Sequence, residues 1–367
     1  MQQEVSDSHQ LTAIDLFAGG GGLTVGLKRA GFNVISAVEI EKNAFATYRA
    51  NHPEVHAYRQ DIRTVFGETL KRHSSVGEID LVAGCPPCQG FSSLTSKYRR
   101  SDPRNKLIVE MSRLIAEIQP RTVMMENVPG LVDKGRELFE EFIQQLTSLG
   151  YEINWSVLQV ADYGVPQNRR RLVLLAGKGF SIQLPMSTHS RTGAKGLTTW
   201  VTLREVIGSL SLPEPVTIAE ANAAGGAQKF NWHVIRTISS QNLKRLQVVR
   251  PGESRIKLPQ DLRPACHQNK ERGYNNVYGR MAWEQVPVTI TGGCTTVSKG
   301  RFGHPEENRT ISIREAALIQ TFPMEYIFDT PYIDYASDII GNALPCDFAE
   351  IVARQCSEAL VNNSSSV

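Results

Sequence analysis

From residue 11 to about residue 177, short apolar segments alternate with amphipathic ones. That alternation confines the first half of the chain to an α/β architecture, a doubly wound, mostly parallel sheet covered by helices. Residues 12–17, 34–39, 81–83, 122–126 and 172–176 read as strands, and 23–30, 42–51, 106–118 and 137–149 as helices, several closed by a Gly or Pro. Beyond Lys178 the pattern loosens: Pro, Gly, Ser and Thr become frequent, and residues 221–227 read as a loose surface loop. Helical periodicity returns over 313–320 and 347–360, ahead of a polar tail expected to fray. The chain thus divides into residues 1–177, 178–308 and 309–367.

With 367 residues there is room for about two cores. The longest apolar run, Leu172 to Ala176, is far below the ~18 residues of a membrane span. The first ten residues lack the basic start and apolar core of a signal peptide. Six cysteines, at 85, 88, 266, 294, 346 and 356, are too scattered for a disulfide framework. A soluble protein of a reducing, cytoplasmic compartment is expected, without membrane contact. The net charge is only +3, but residues 178–308 hold 17 Lys and Arg against 9 Asp and Glu. Such a concentration is the footprint of a polyanion-binding surface, although a merely solvated face carries similar charge.

Asp15, Phe17, Ala18, Gly19, Gly20, Gly22 and Leu23 run off the first strand, through glycines, into a helix. In a doubly wound sheet this loop lies at the carboxyl edge, where ligands bind. No register of its glycines satisfies G-x-G-x-x-G, which argues against a nicotinamide or flavin fingerprint. Glu39 ends the second strand, placed to accept hydrogen bonds from both hydroxyls of a ribose. Asp61 follows the third apolar stretch, where an acid can take an adenine amino group while Ile62 packs on the ring. Together these residues read as an adenosyl site.

The segment Gly84-Cys85-Pro86-Pro87-Cys88-Gln89-Gly90 follows the fourth strand. Two prolines fix φ ahead of Cys88, placing it on a stiff turn suited to an exposed nucleophile. Cys85 and Cys88 also spell C-x-x-C, but no second cysteine or histidine pair completes a zinc tetrahedron, and a redox dithiol would ordinarily open a helix directly. Glu126 ends the next long strand and can reach the same edge as Cys88, as a general acid or, alternatively, as part of a capping turn. Gln167, Arg169 and Arg171 share one face of an extended segment, which suits guanidiniums that grip a carbonyl, a carboxylate or a phosphate.

In this order, these segments resemble the bacterial DNA cytosine-C5 methyltransferase family over most of the chain. Residues 15–22 look like its cofactor loop, 84–92 its Pro-Cys nucleophile, 126–128 its Glu-Asn-Val acid and 167–171 its Gln-x-Arg-x-Arg element; 309–323 and 341–345 are similar to its last two blocks. The resemblance implies a Rossmann-like methyltransferase domain with a smaller target-recognition domain over 178–308 and a return segment from 309, whose final helix packs beside the cofactor loop. S-adenosylmethionine is the implied cofactor, leaving as S-adenosylhomocysteine, with no metal. Pro86, Leu107, Asn342 and Ala343 join the implied cofactor contacts. Ile40 stands where many relatives place an aromatic residue against adenine.

The implied chemistry is addition of the Cys88 thiolate to C6 of a flipped cytosine, with Glu126, Arg169 and Arg171 holding the base. Double-stranded DNA is the implied partner. Residues 92–105, with Ser92, Lys97, Arg99 and Arg100, match a loop that closes over it; Gln89 is a further implied DNA contact, while Arg272, Asn275 and Arg280 are candidate readers of base edges. Monomeric action and a cognate restriction endonuclease are further expectations. The alternatives are a tRNA-methylating relative, against which the long basic insertion argues, and a non-catalytic DNA-binding relative, against which the intact blocks argue.

Overall fold

The computed structural model describes residues 10–74, 77–87, 103–210, 212–268 and 274–364. Cys88, Gln89, Ser92, Lys97, Arg99, Arg100 and Arg272 lie outside these residues. Seven strands, β1 (Thr12–Leu16), β2 (Asn33–Val38), β3 (His56–Tyr58), β4 (Leu81–Gly84), β5 (Thr122–Asn127), β6 (Tyr151–Gln159) and β7 (Arg170–Lys178), form one sheet in the order β3-β2-β1-β4-β5-β7-β6. The first five are parallel, and β7 runs antiparallel to both neighbours. The reversal of strand order between β1 and β4 opens a crevice at their carboxyl ends. Because β7 is reversed, its first residues, Arg170 and Arg171, arrive at that same edge.

The helices are α1 (Gly22–Arg29), α2 (Lys42–Asn51), α3 (Gly67–Lys71), α4 (Leu107–Ile118), α5 (Arg136–Ser148), α6 (Ile218–Ala223), α7 (Ser240–Val248), α8 (Ile313–Ile319), α9 (Ile333–Asn342) and α10 (Cys346–Ser364). None is long and apolar enough to cross a membrane among the described residues. One face of the sheet is covered by α1 and α10, with Leu27, Phe348 and Val352 in the core, and the other by α4 and α5, with Ile115 and Phe142. The final helix packs along α1, directly after the glycine loop. Gly26 permits this approach, since an added Cβ would meet the Ala349 Cβ at 2.4 Å.

Residues 178–308 do not close a core of their own. Leu203, Trp232, Met281 and Phe302 share one apolar cluster with α8, α9 and Phe328, which also reaches Val25 of α1 and Ala44 of α2. The return segment therefore bridges both parts of the molecule. The loose loop expected over 221–227 is corrected only in its first part: Thr217 and Glu220 form a capping box that starts α6, which runs to Ala223 with Ala221 buried. Residues 224–226 are a surface turn, where Gly225 and Gly226 at positive φ end the helix as their composition suggests.

Candidate active site at the carboxyl edge of the sheet

The glycine loop leaves β1 through a left-handed Phe17, φ +61°, and continues with Gly19 at +55° and Gly21 at +92°. A Cβ on Gly19 would meet nothing within 4 Å, so its backbone and not its surroundings demands glycine. Gly20 and Gly22 are crowded instead: added Cβ atoms would lie 2.4 Å from Ile339 Cγ2 and 3.0 Å from the Leu344 carbonyl oxygen. The return segment thus packs against the back of the loop. At the front, Glu39 accepts from the backbone N–H of Gly19 at 2.8 Å and of Glu41 at 2.7 Å, one per oxygen. Each oxygen keeps a second lone pair, so a ribose diol can still be accepted.

The residues expected around an adenosyl group gather at this crevice. Ile40 is 61% exposed at the end of β2, an apolar side chain that a ring would cover. Asp61, beyond β3, is gripped by Arg63 through Nε at 2.9 Å and Nη2 at 2.5 Å, and this guanidinium holds its carboxyl below the usual range. Ile62 and Leu23 are buried, Ala18 donates its N–H to Val38 at 3.0 Å, and Leu107 opens α4. Asn342 is exposed at the end of α9, next to the half-buried Ala343. Open space at Gly19, the spare lone pairs of Glu39 and the uncovered Ile40 together fit an adenosyl cofactor.

Asp15 differs from its expectation as a cofactor contact. It is fully buried, and its Oδ2 accepts from Thr24 Oγ1 at 2.6 Å, with Tyr48 Oη 2.9 Å beyond. It braces α1 and α2 from beneath the loop. Burial, reinforced by Glu39, pushes its pKa up to about 7.

Across the switch point, Asn127 Nδ2 donates to the Pro86 carbonyl at 3.0 Å, tying the end of β5 to the turn that leads to Cys88. Arg171 Nε lies 2.6 Å from Glu126 Oε1, both residues being largely buried. That oxygen has no aligned hydrogen bond among the described residues, so the pair is held by charge and keeps capacity for another donor. Cys85 packs beside them; burial and the Glu126 carboxylate push its thiol well up, the opposite of a redox thiolate.

Arg169 is buried beside Arg171, Glu126 and Cys85 and is also tied to distant segments. Its Nη1 donates to the Ile290 carbonyl at 2.9 Å and its Nη2 to that of Ala343 at 3.1 Å, while Nε has no partner among the described residues. Gln167 extends this tie, donating to Gln320 Oε1 at 2.6 Å and accepting from the Ile290 N–H at 3.0 Å. These side chains fasten the return segment to the sheet, a role their spacing did not signal.

Between the sheet edge and residues 274–302 lies a cleft of about 620 Å³, lined by Arg170, Arg171, Tyr274, Asn276 and Arg301 among others. Arg280, expected to face DNA, is corrected. It is buried, and its guanidinium donates to the carbonyls of Leu246 at 3.0 Å, Val249 at 3.1 Å and His304 at 2.7 Å. Asn275 is likewise turned inward, accepting from Arg255 Nη2 at 2.5 Å. Arg170, Arg301 and Lys134, absent from the expectations, are further cations that line the cleft beside Arg171; Arg170 falls inside the Gln-x-Arg-x-Arg element and Arg301 in the basic stretch 178–308.

The family model for C-5 cytosine-specific DNA methylases matches residues 11–358. The Type II methylase M.HgiDII of Herpetosiphon aurantiacus is 38% identical over 354 residues, covering 95% of each chain. The Type II methyltransferase M1.HphI of Haemophilus parahaemolyticus is 34% identical, covering 94% of this chain and 86% of its own. Among solved structures, a prophage-encoded Escherichia coli protein described as a DNA modification methyltransferase superposes with a TM-score of 0.71 at 23% identity, over 96% of this chain and 99% of its own. The Schizosaccharomyces pombe Dnmt2 methyltransferase follows with 0.62 at 16%, over the same shares. These last two likenesses concern the fold alone.

Proposed function

Because the chain belongs to the C-5 cytosine-specific DNA methylase family, we propose that Cys88, Glu126 and Arg171 carry out its methyl transfer on a cytosine swung out of a duplex. The protein is a DNA (cytosine-5)-methyltransferase that uses S-adenosylmethionine. That cofactor supplies an electrophilic methyl group on a sulfonium; Phe17, Glu39, Ile40 and Asp61 would hold its adenosyl part.

Cytosine C5 is a weak nucleophile until electron density is pushed into the ring. The Cys88 thiolate adds to C6 while Glu126 gives a proton to N3, and Arg171 steers the carboxyl and the ring carbonyl. The resulting enamine would take the cofactor's methyl group at C5, with S-adenosylhomocysteine leaving. Loss of the C5 proton to a water acting as base then expels the thiolate and restores the double bond, as N3 returns its proton to Glu126. The observation that carries this reading is the Asn127–Pro86 hydrogen bond at 3.0 Å, which locks the acid-bearing strand end to the nucleophile's turn. Cys88→Ala is expected to abolish turnover while retaining cofactor binding, and DNA bearing 5-fluorocytosine to trap a covalent adduct with the parent protein. Undiminished methylation by that variant would refute the mechanism.

The relatives' Type II names support two finer readings: a fixed target sequence in duplex DNA, and a cognate restriction endonuclease in the same, cytoplasmic, compartment. Residues 178–308 would enter the major groove, with basic side chains on the phosphates. Bisulfite sequencing of DNA from expressing cells gives the target directly.

A further inference from the structure

Behind the glycine loop lies a hydrogen-bonded relay that the chemistry above does not use. Tyr326, in the return segment, donates its hydroxyl to the Gly20 carbonyl at 2.6 Å across 306 residues of sequence. His52 Nε2 lies 3.1 Å from that hydroxyl and 3.3 Å from the Gly21 carbonyl, and His52 Nδ1 lies 2.8 Å from Lys28 Nζ. An ammonium has no lone pair, so Nδ1 must accept and the ring is neutral, with its proton on Nε2. Burial and Lys28 keep it so, lowering its pKa to about 4. The tyrosine hydroxyl then accepts from His52 and donates to Gly20, a one-way arrangement with a single consistent set of protons.

The relay stands on a fastened frame. Helix α2 presents Asn43, Thr47 and Asn51 in register, one turn apart, to residues 327–330. Asn51 both donates to the Ile327 carbonyl at 2.7 Å and accepts from its N–H at 3.0 Å. Thr47 Oγ1 accepts from the Asp329 N–H at 3.0 Å, and Asn43 Oδ1 from Thr330 at 3.2 Å. A Cβ on Gly21 would strike both relay members, 2.6 Å from His52 Nε2 and from Tyr326 Oη.

We propose that Tyr326 and His52 are positioning residues for the cofactor: by holding the carbonyls of Gly20 and Gly21 backwards, they set the loop conformation that receives the adenosyl group. Glu39 fixes the loop's front through Gly19, and the relay fixes its back. The loop's shape is thereby made dependent on the return segment. This rests on the reading of the glycine loop as the cofactor site.

The test measures S-adenosylmethionine Kd, DNA Kd, kcat at saturating cofactor and Tm for the full-length protein. Tyr326→Phe keeps the ring and deletes only the hydroxyl, leaving the Gly20 carbonyl unpaired; an increase of about tenfold in cofactor Kd is expected, with kcat and DNA Kd unchanged. His52→Ala should behave likewise, and His52→Gln, whose amide can donate from near the Nε2 position, should recover most of the affinity. Cofactor binding by Tyr326→Phe within twofold of the parent overturns the proposal, as does a parallel loss of cofactor affinity, DNA affinity and Tm. Glu39→Gln serves as the reference. If it too leaves cofactor Kd unchanged, the reading of the loop itself is wrong; if it weakens binding while Tyr326→Phe does not, only the relay fails.

Discussion

Arg171 Nε lies 2.6 Å from Glu126 Oε1 across the antiparallel β5–β7 pair, and both side chains are largely removed from water. A buried pair of this kind adds little net stability while intact, yet removing one member strands the other, at a cost of ~3–5 kcal/mol. Arg171→Met is therefore expected to destabilise the protein by about that much, and adding Glu126→Gln should return a large part of the loss. Glu126→Gln alone also leaves the buried Arg171 without its counter-charge, so it should lose stability as well, and it should lose ~10²–10⁴ in kcat, the usual reach of a general acid. Thermal denaturation of the two single variants and the double variant, with single-turnover rates, checks both statements; additive Tm losses would show that the two groups do not interact.

Strand ends bring Glu126, Arg169 and Arg171 to one edge, which a two-residue period makes legible. What that period does not signal is that Arg169, one residue ahead of β7 and buried beside Arg171 and Glu126, is also held by the Ile290 and Ala343 carbonyls. Elements with strong apolar contrast, such as β1, β5 and α4, could be read directly. The three-residue β3 and the edge strand β6 could not: β6 is half-buried along most of its length, with Trp155 44% exposed. Helix α9 was hidden for the related reason that its apolar residues face a core assembled from distant segments. Site residues carried by strand ends were legible; those chosen by tertiary packing, such as Tyr326 behind Gly20, were not.

His52 and Asp15 tilt stability with pH in opposite directions. His52 is protonated near 4 in the fold and near 6.5 when unfolded; between these values the unfolded chain holds the extra proton, so this contribution to stability falls as pH falls. Asp15 is protonated near 7 in the fold and near 3.8 when unfolded; here the native state holds the extra proton, and stability rises as pH falls. From pH 6.5 to 4 the two contributions nearly cancel. Relative to the parent, His52→Gln should gain, and Asp15→Asn should lose, on the order of 3 kcal/mol across this window. Urea unfolding at several pH values measures the difference, and pH-independent differences for both variants would contradict the burial argument.

Arg170 and Arg301 both line the cleft, Arg301 donating through Nη1 to the Gly252 carbonyl at 2.5 Å with its Nη2 making no hydrogen bond among the described residues. If both meet phosphates, Arg170→Ala and Arg301→Ala should weaken DNA binding about equally for target and non-target duplexes. Each should also lower the slope of log K against log salt by about 1. Fluorescence anisotropy over a salt series reads the slope; an unchanged slope with relaxed target preference would instead place the arginine on a base edge.

Arg280 provides the contrasting case, because all three nitrogens of its guanidinium are engaged inside the protein. Donating to the carbonyls of Leu246, Val249, His304 and Glu307 and to Asn308, it closes the end of α7 onto the segment that leads into the return. Truncation leaves several buried carbonyls unpaired at ~1–3 kcal/mol each, partly recovered if water enters. Arg280→Ala should therefore lower Tm by several degrees, while whatever folded protein remains keeps its target sequence and its salt slope. Methylation mapped by bisulfite sequencing below the variant's melting range separates the two roles. A changed target with an unchanged Tm would move Arg280 to the DNA surface, and the expected result keeps it as the brace beneath that surface.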